Sequence, residues 1–140
     1  MSRLLKTLPA VAIDAQSELF NCTWRSGHGA AWATLSGELD LAATPMLEEG
    51  LRTAEADDDA RLIVVDLRDI TFMDCGGMAI VLESAERQRR AGRRLVLVRG
   101  SREVDFVLDI AGASERVEIF DLAPEAPAVQ VLLQMGTSGE

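Results

Sequence analysis

Residues 62–78 read Leu62-Ile63-Val64-Val65-Asp66-Leu67-Arg68-Asp69-Ile70-Thr71-Phe72-Met73-Asp74-Cys75-Gly76-Gly77-Met78. The first six positions are a near-continuous apolar run. Such a run marks a strand covered on both faces, as in a parallel sheet flanked by helices. Asp74 stands where a helix N-cap belongs. The spacing predicts a helix from Cys75 to about Ala91, with Met78, Val81, Leu82 and Ala85 as its buried stripe. Glu83 with Arg87 and Glu86 with Arg90 form i,i+4 pairs on its wet face. Gly92 follows, where a left-handed residue closes a helix.

The same alternation extends outward. Upstream, Leu19 to Trp24 puts Phe20, Cys22 and Trp24 on one side of a pleat, and Ala31 to Ser36 does the same with Ala31, Ala33 and Leu35. Ser26-Gly27-His28-Gly29 is turn chemistry, so the two runs predict a hairpin. Gly37-Glu38-Leu39-Asp40 reads as a loop. Thr44 is the expected N-cap of a helix with Pro45 at its first position, running to about Ala56 through Leu47, Leu51 and Ala54. The run Asp57-Asp58-Asp59 reads as a solvated loop rather than a metal site.

Downstream, Leu95 to Val98 reads as a second buried strand. Ser101 caps a short helix carrying Val104, Val107, Leu108 and Ala111, stopped by Gly112. Val117 to Phe120 is a last strand. Pro124 to Met135 reads as a C-terminal helix with Val129, Leu132 and Leu133 inward, before a frayed Gly-Thr-Ser-Gly-Glu tail. The expected fold class is α/β: a single domain with a mixed four- to five-stranded sheet, an N-terminal β-hairpin, and helices mainly on one face. The expected layout is a lead-in over 1–18, the domain over 19–122, and a C-terminal helix and tail over 123–140.

Composition narrows the function classes. The chain has 140 residues, enough for one core and too few for two domains. Its net charge of −9 argues against nucleic acid and anionic membrane surfaces, both of which call for Lys and Arg. One histidine (His28) and two distant cysteines (Cys22 and Cys75) make neither a zinc signature nor a disulfide framework, which points to a reducing cytoplasm. Arg3 and Lys6 give the N-terminus a faint look of a signal peptide. Lys6 and Pro9 break its apolar stretch, which ends at Asp14, so secretion is not expected.

Chemistry concentrates at Thr71 to Met78, where a buried strand opens into a helix whose free N–H groups point outward. No Gly-Lys-Ser/Thr phosphate loop and no GxGxxG are present. A cysteine phosphatase loop starting at Cys75 needs an arginine where Val81 stands, and the thiol is expected to be buried or half-buried and inert. Asp40, Asp66 and Asp74 should gather at one end of a parallel sheet, where ligands collect, yet loop and capping duties account for two of them. No catalytic residue, cofactor or metal ligand is assigned.

The combination of Gly37-Glu38-Leu39-Asp40 before a helix, a hydrophobic strand, and Phe72-Met73-Asp74-Cys75-Gly76-Gly77-Met78 resembles the STAS domain, in its bacterial anti-sigma factor antagonist branch. The resemblance covers roughly residues 19–122. It implies a small cytoplasmic regulator without a reaction of its own. Such a protein binds an anti-sigma factor that is also a serine kinase, is phosphorylated by it on a serine at the start of the second helix, and then lets go. The family passage usually reads Asp-Ser-Ser-Gly. Here Asp74 and Gly77 match, Cys75 stands at the first serine, and Gly76 stands at the acceptor, so the usual phosphorylation has no hydroxyl to act on.

The expected partner-binding residues are Asp40, Met73, Asp74, Cys75, Gly76, Gly77 and Ile80, with Met78 kept for the core. Thr71 and Ser84 are the hydroxyls left to take phosphate, and Cys75 the thiol left to oxidise. Two other readings stand beside the partner switch. One is a non-phosphorylated scaffold subunit that assembles with other STAS proteins. The other is a small-ligand-binding α/β protein using Asp40, Asp74 and Cys75.

Overall fold

The computed structural model of the protein describes residues 19–139, with side chains through Met135. The expected lead-in over 1–18, the signal-like stretch included, lies outside the described residues.

Strands β1 (Phe20–Gly27) and β2 (Ala30–Leu39) pair antiparallel around a tight turn at His28 and Gly29. β3 (Leu62–Met73), β4 (Arg94–Val98) and β5 (Glu118–Phe120) follow in parallel, and the sheet order is β1-β2-β3-β4-β5. Helices α1 (Thr44–Glu55), α2 (Cys75–Arg90) and α3 (Arg102–Ile110) connect them, and α4 (Val131–Gly139) ends the described chain. This is the mixed five-stranded α/β domain that the apolar pattern predicts.

The alternation of β3 explains the layering. Ile63, Val65 and Leu67 join Phe20, Cys22, Trp24, Ala33, Leu35 and Leu97 in a core closed by α1, α2 and α3. Val64 points the other way, with Val96 and Val98, under Val131 and Met135 of α4. Each buried Val, Leu or Ile side chain here contributes roughly 1.5–3 kcal/mol of transfer free energy.

Several local expectations need correction. Gly37 to Leu39 is strand rather than loop, and β3 continues to Met73 rather than ending at Leu67. The two extensions pair with each other through Ser36↔Asp69, Gly37↔Ile70, Glu38↔Phe72 and Leu39↔Met73, with register shifts on either side of the Ser36–Gly37 pairs. The shifts let Ile70 and Met73, three residues apart, both reach the core. Pairing between β3 and β4 stops earlier, at Asp66↔Val98.

Thr44 is not the cap of α1. Its hydroxyl donates to the Leu41 carbonyl (2.9 Å), while Asp40 Oδ1 accepts from the Ala43 N–H (3.2 Å) and so orders the turn into the helix. Asp57 is buried rather than solvated, and its Oδ1 accepts from the Asp59 N–H at 2.9 Å. The C-terminal helix starts at Val131, after a 3₁₀ turn over Ala128–Gln130, and extends to Gly139 through most of the expected tail. That later start turns Val131 and Met135 inward and leaves Leu133 69% exposed.

α2 ends as its sequence predicts. Gly92, at φ +76°, lets the Arg93 N–H reach the Gln88 carbonyl (2.8 Å) and the Gly92 N–H reach Arg89 (3.0 Å). Beneath it, Glu55 of α1 accepts from Arg87 at 2.8 and 2.9 Å and from Ser84. Burial raises the Glu55 pKa, but the Arg87 and Ser84 hydrogen bonds outweigh it and hold the carboxyl below its usual value.

Candidate functional site

The ends of β2 and β3 carry the site. The Asp74 N–H donates to the Leu39 carbonyl (3.3 Å), tying the start of α2 to the end of β2. Asp74 has extended backbone, and its Oδ1 accepts from the Gly77 N–H at 2.8 Å. This is a helix N-cap, satisfying one of the free donors at the helix start. Asp40 instead orders the turn that leads into α1, its Oδ1 accepting from the Ala43 N–H. Both aspartates are therefore half-buried groups that position the local backbone.

The two glycines differ in kind. A Cβ on Gly77 would lie 2.9 Å from Leu39 Cγ, 3.0 Å from its Cδ2 and 3.3 Å from its carbonyl oxygen, so α2 sits against β2 at glycine distance. A Cβ on Gly76 would meet only Asp74 Oδ1, at 3.4 Å, which is an ordinary contact. Gly76 is exposed and Gly77 buried.

The remaining expected residues divide. Cys75 is exposed, contrary to the expected buried or half-buried thiol, because it occupies the first helical position on the outer side of α2. Met73 is 2% exposed and belongs to the core, so it is corrected from a surface contact to a packing residue. Gly77 likewise contributes by its smallness rather than by contact. Ile80 is partly buried and packs against the core cluster, and Met78 is wholly inside. Of the two hydroxyls left to take phosphate, Ser84 is buried and donates to Glu55. Thr71 is exposed and donates to the Gly37 carbonyl at 3.3 Å.

Asp66 does not join Asp40 and Asp74. It is buried beside Arg68, accepting at 2.9 Å from Nε and 2.7 Å from a terminal nitrogen, and Arg68 also donates to the Ala123 carbonyl at 2.6 Å. The Asp66 hydrogen bonds hold the Arg68 guanidinium above its usual pKa. Among the described residues no group of three or more His, Cys, Asp or Glu is arranged to hold a metal. His28 sits in the β1–β2 turn, beside the start of β3, whereas Cys75 follows its end. A strand of this length separates them by roughly 35 Å, too far for a thiol–imidazole couple.

Two exposed apolar side chains on this rim escape a sequence reading. Leu41 is 78% exposed in the loop after Asp40, and Phe72 is 48% exposed two residues before Asp74. Phe72 stands next to a register shift, where simple alternation fails to say which way a side chain points.

A family model for the STAS domain matches residues 27–126. The chain belongs to the STAS domain family. Among solved structures, an anti-sigma factor antagonist from Mycobacterium paratuberculosis shares the fold with a TM-score of 0.69 at 18% identity, over 82% of this chain and 92% of that one. The anti-sigma factor antagonist SpoIIAA in its unphosphorylated form gives 0.68 at 21% identity, over 82% and 96%. The Bacillus cell fate determinant SpoIIAA in its phosphorylated form gives 0.64 at 19%, over 81% and 98%. A similar fold also lies within a longer chain, the murine Slc26a9 anion transporter, of which this chain spans 24% with a TM-score of 0.63 at 12% identity. Among the described residues of this chain no helix is long and apolar enough to cross a membrane.

Proposed function

We propose that this STAS domain is a cytoplasmic binding module of the anti-sigma factor antagonist type. It engages an anti-sigma factor of the serine kinase kind through the start of α2 and the Asp40 loop, and so takes part in a partner switch that controls transcription. It catalyses no reaction of its own.

The observation that carries this reading is the state of the α2 start. Asp74 still caps, Gly77 still packs on Leu39, and Gly76 between them lies open to a partner. The capped, closely packed helix start supports docking there, while the hydroxyl is gone. A phosphate would bring about −1.5 to −2 charges beside Asp40 and Asp74 and disrupt a tight contact. With glycine there, that route of release is closed, and the module stays on its partner.

The test is affinity capture of the tagged protein from the cells that express it, with a Gly76→Asp variant in parallel. An anti-sigma kinase recovered by the parent, lost by Gly76→Asp, and leaving Gly76's neighbours unphosphorylated supports the reading. Stoichiometric phosphate on those neighbours defeats the constitutive version.

The missing acceptor hydroxyl also favours a second reading, a scaffold subunit of a signalling complex. Recovery of only other STAS chains, together with a large assembly by light scattering, selects it.

A further inference from the structure

Resting on the proposed docking at α2, the geometry points to a composite recognition patch that the motif residues alone do not define: Leu41 and Phe72 as its apolar anchors, set in an acidic surround that selects a partner surface bearing basic residues. The strand ends bring the two residues to the same end of the sheet. Phe72 stands opposite Glu38 in the β2–β3 ladder, and Leu41 lies two residues beyond Leu39, which pairs with Met73. The adjacent Asp74 N–H to Leu39 carbonyl bond fixes the α2 start beside them.

The core employs neither anchor. Leu41 is 78% and Phe72 48% exposed, whereas Leu39, Ile70 and Met73 around them are at most 2% exposed. Large apolar groups raised beside a polar rim are the usual anchors of a protein interface.

Charge decides the occupant. The stretches that build the rim, residues 36–51 and 69–86, contain no lysine, arginine or histidine. They contribute Glu38, Asp40 and Asp74 directly around the anchors, and none of these three forms an ion pair with a described residue. A partner that buries Leu41 and Phe72 must meet those carboxylates, and basic side chains satisfy them where acidic or neutral ones do not. The anchors supply affinity, and the carboxylates supply the choice of partner and a salt-dependent rate of encounter.

The experiment is photo-crosslinking in the cells that express the protein. A photoreactive phenylalanine is placed in the full chain at position 41, 72, 76 or 106. Phe106, 65% exposed on α3, is the control for exposure alone. The expected result is an adduct to the same protein from positions 41, 72 and 76 and none from 106. The linked peptide should be rich in Arg or Lys, and adduct yield in lysate should fall severalfold between 50 mM and 500 mM NaCl, on the order expected from screening. In the purified pair, Leu41→Ala and Phe72→Ala should each weaken binding by about tenfold or more, and Phe106→Ala by less than about twofold.

Adducts at 76 without adducts at 41 and 72 overturn this patch and leave the docking proposal standing. Adducts at 106 alone, or at no position, overturn both. A linked surface without basic residues, or a yield indifferent to salt, overturns the charge selection.

Discussion

Adding one methyl group at each of two adjacent glycines should produce opposite effects. In Gly77→Ala the new Cβ would lie 2.9 Å from Leu39 Cγ and 3.0 Å from its Cδ2. Leu39 is fully buried among well-packed neighbours, so its side chain has nowhere to swing. Overpacking of this kind costs about 1–3 kcal/mol. Alanine regains up to about 1 kcal/mol of helix propensity over glycine, and less in a first turn. The net is a destabilisation of about 1–2 kcal/mol. In Gly76→Ala the nearest atom is Asp74 Oδ1 at 3.4 Å, so only the propensity gain remains, between zero and about 1 kcal/mol. Urea unfolding followed by circular dichroism measures both: the midpoints should move in opposite directions with unchanged slope. At roughly 4 °C per kcal/mol for a domain of this size, Gly77→Ala should melt about 4–8 °C below the parent. A Gly77→Ala protein as stable as the parent, or a Gly76→Ala protein that loses more, refutes the assignment of one glycine to packing and the other to open surface. The outcome bears on function, because an open Gly76 means that the fold tolerates a serine there.

Three further outcomes follow from the geometry. A thiol-reactive disulfide reagent should titrate Cys75 at once and Cys22 only on unfolding, since Cys22 is fully buried; two fast thiols would contradict the packing of β1. Glu55 has a folded pKa below its ordinary 4.5, so its contribution is full above that value and is lost as pH falls through the lower folded value. The Glu55→Gln protein should therefore show a flatter acid limb of stability below about pH 5, and an unchanged limb would remove Glu55 as its source. Arg93 donates to the carbonyls of Glu55 (3.0 Å), Asp57 (3.3 Å) and Ala60 (3.5 Å), closing the end of α1. Arg93→Ala should lower stability by about 1.5–3 kcal/mol, the scale of hydrogen bonds from a charged donor, in a denaturant titration; a loss below about 0.5 kcal/mol would show those carbonyls to be equally well served by water.

What was legible in the sequence is what periodicity and capping encode. The run Leu62–Leu67, the stripe Met78, Val81, Leu82 and Ala85, the Asp74 cap and the Gly92 stop each follow from local rules that the packed structure obeys. What escaped depends on partners distant in sequence. The continuation of β2 and β3 to Leu39 and Met73 is created by their pairing with each other, and its register shifts erase the alternation from which the facing of Phe72 would be read. Asp66 carries no sign of being buried beside Arg68, because the pair forms by reaching back along one strand and across to Ala123. Ser84 looks like an exposed hydroxyl until α1 brings Glu55 against it. At the start of α2 the capping role of Asp74 followed from its motif, whereas Met73 needed the sheet register to show that it points inward.

β3 outruns its neighbour. Past Asp66↔Val98 it has no β4 beside it, and from there to Met73 it is paired on one edge only. α2 springs from the tip of this overhang through the Asp74 cap. The proposed recognition end is thus mounted on the narrow side of the sheet, where β1 flanks β2 as far as Gly37 and only the Glu38–Phe72 and Leu39–Met73 tip is two strands wide, pinned to the core at Leu67, Ile70 and Met73. Ribbons of two strands twist more readily than wide sheets, and such peripheral segments open at a lower free energy than the whole molecule. A partner docked as proposed therefore pulls on a two-stranded tip that is held by buried side chains of β3. Substitutions at those anchors can tune how firmly the module holds its partner without altering a single residue that the partner touches.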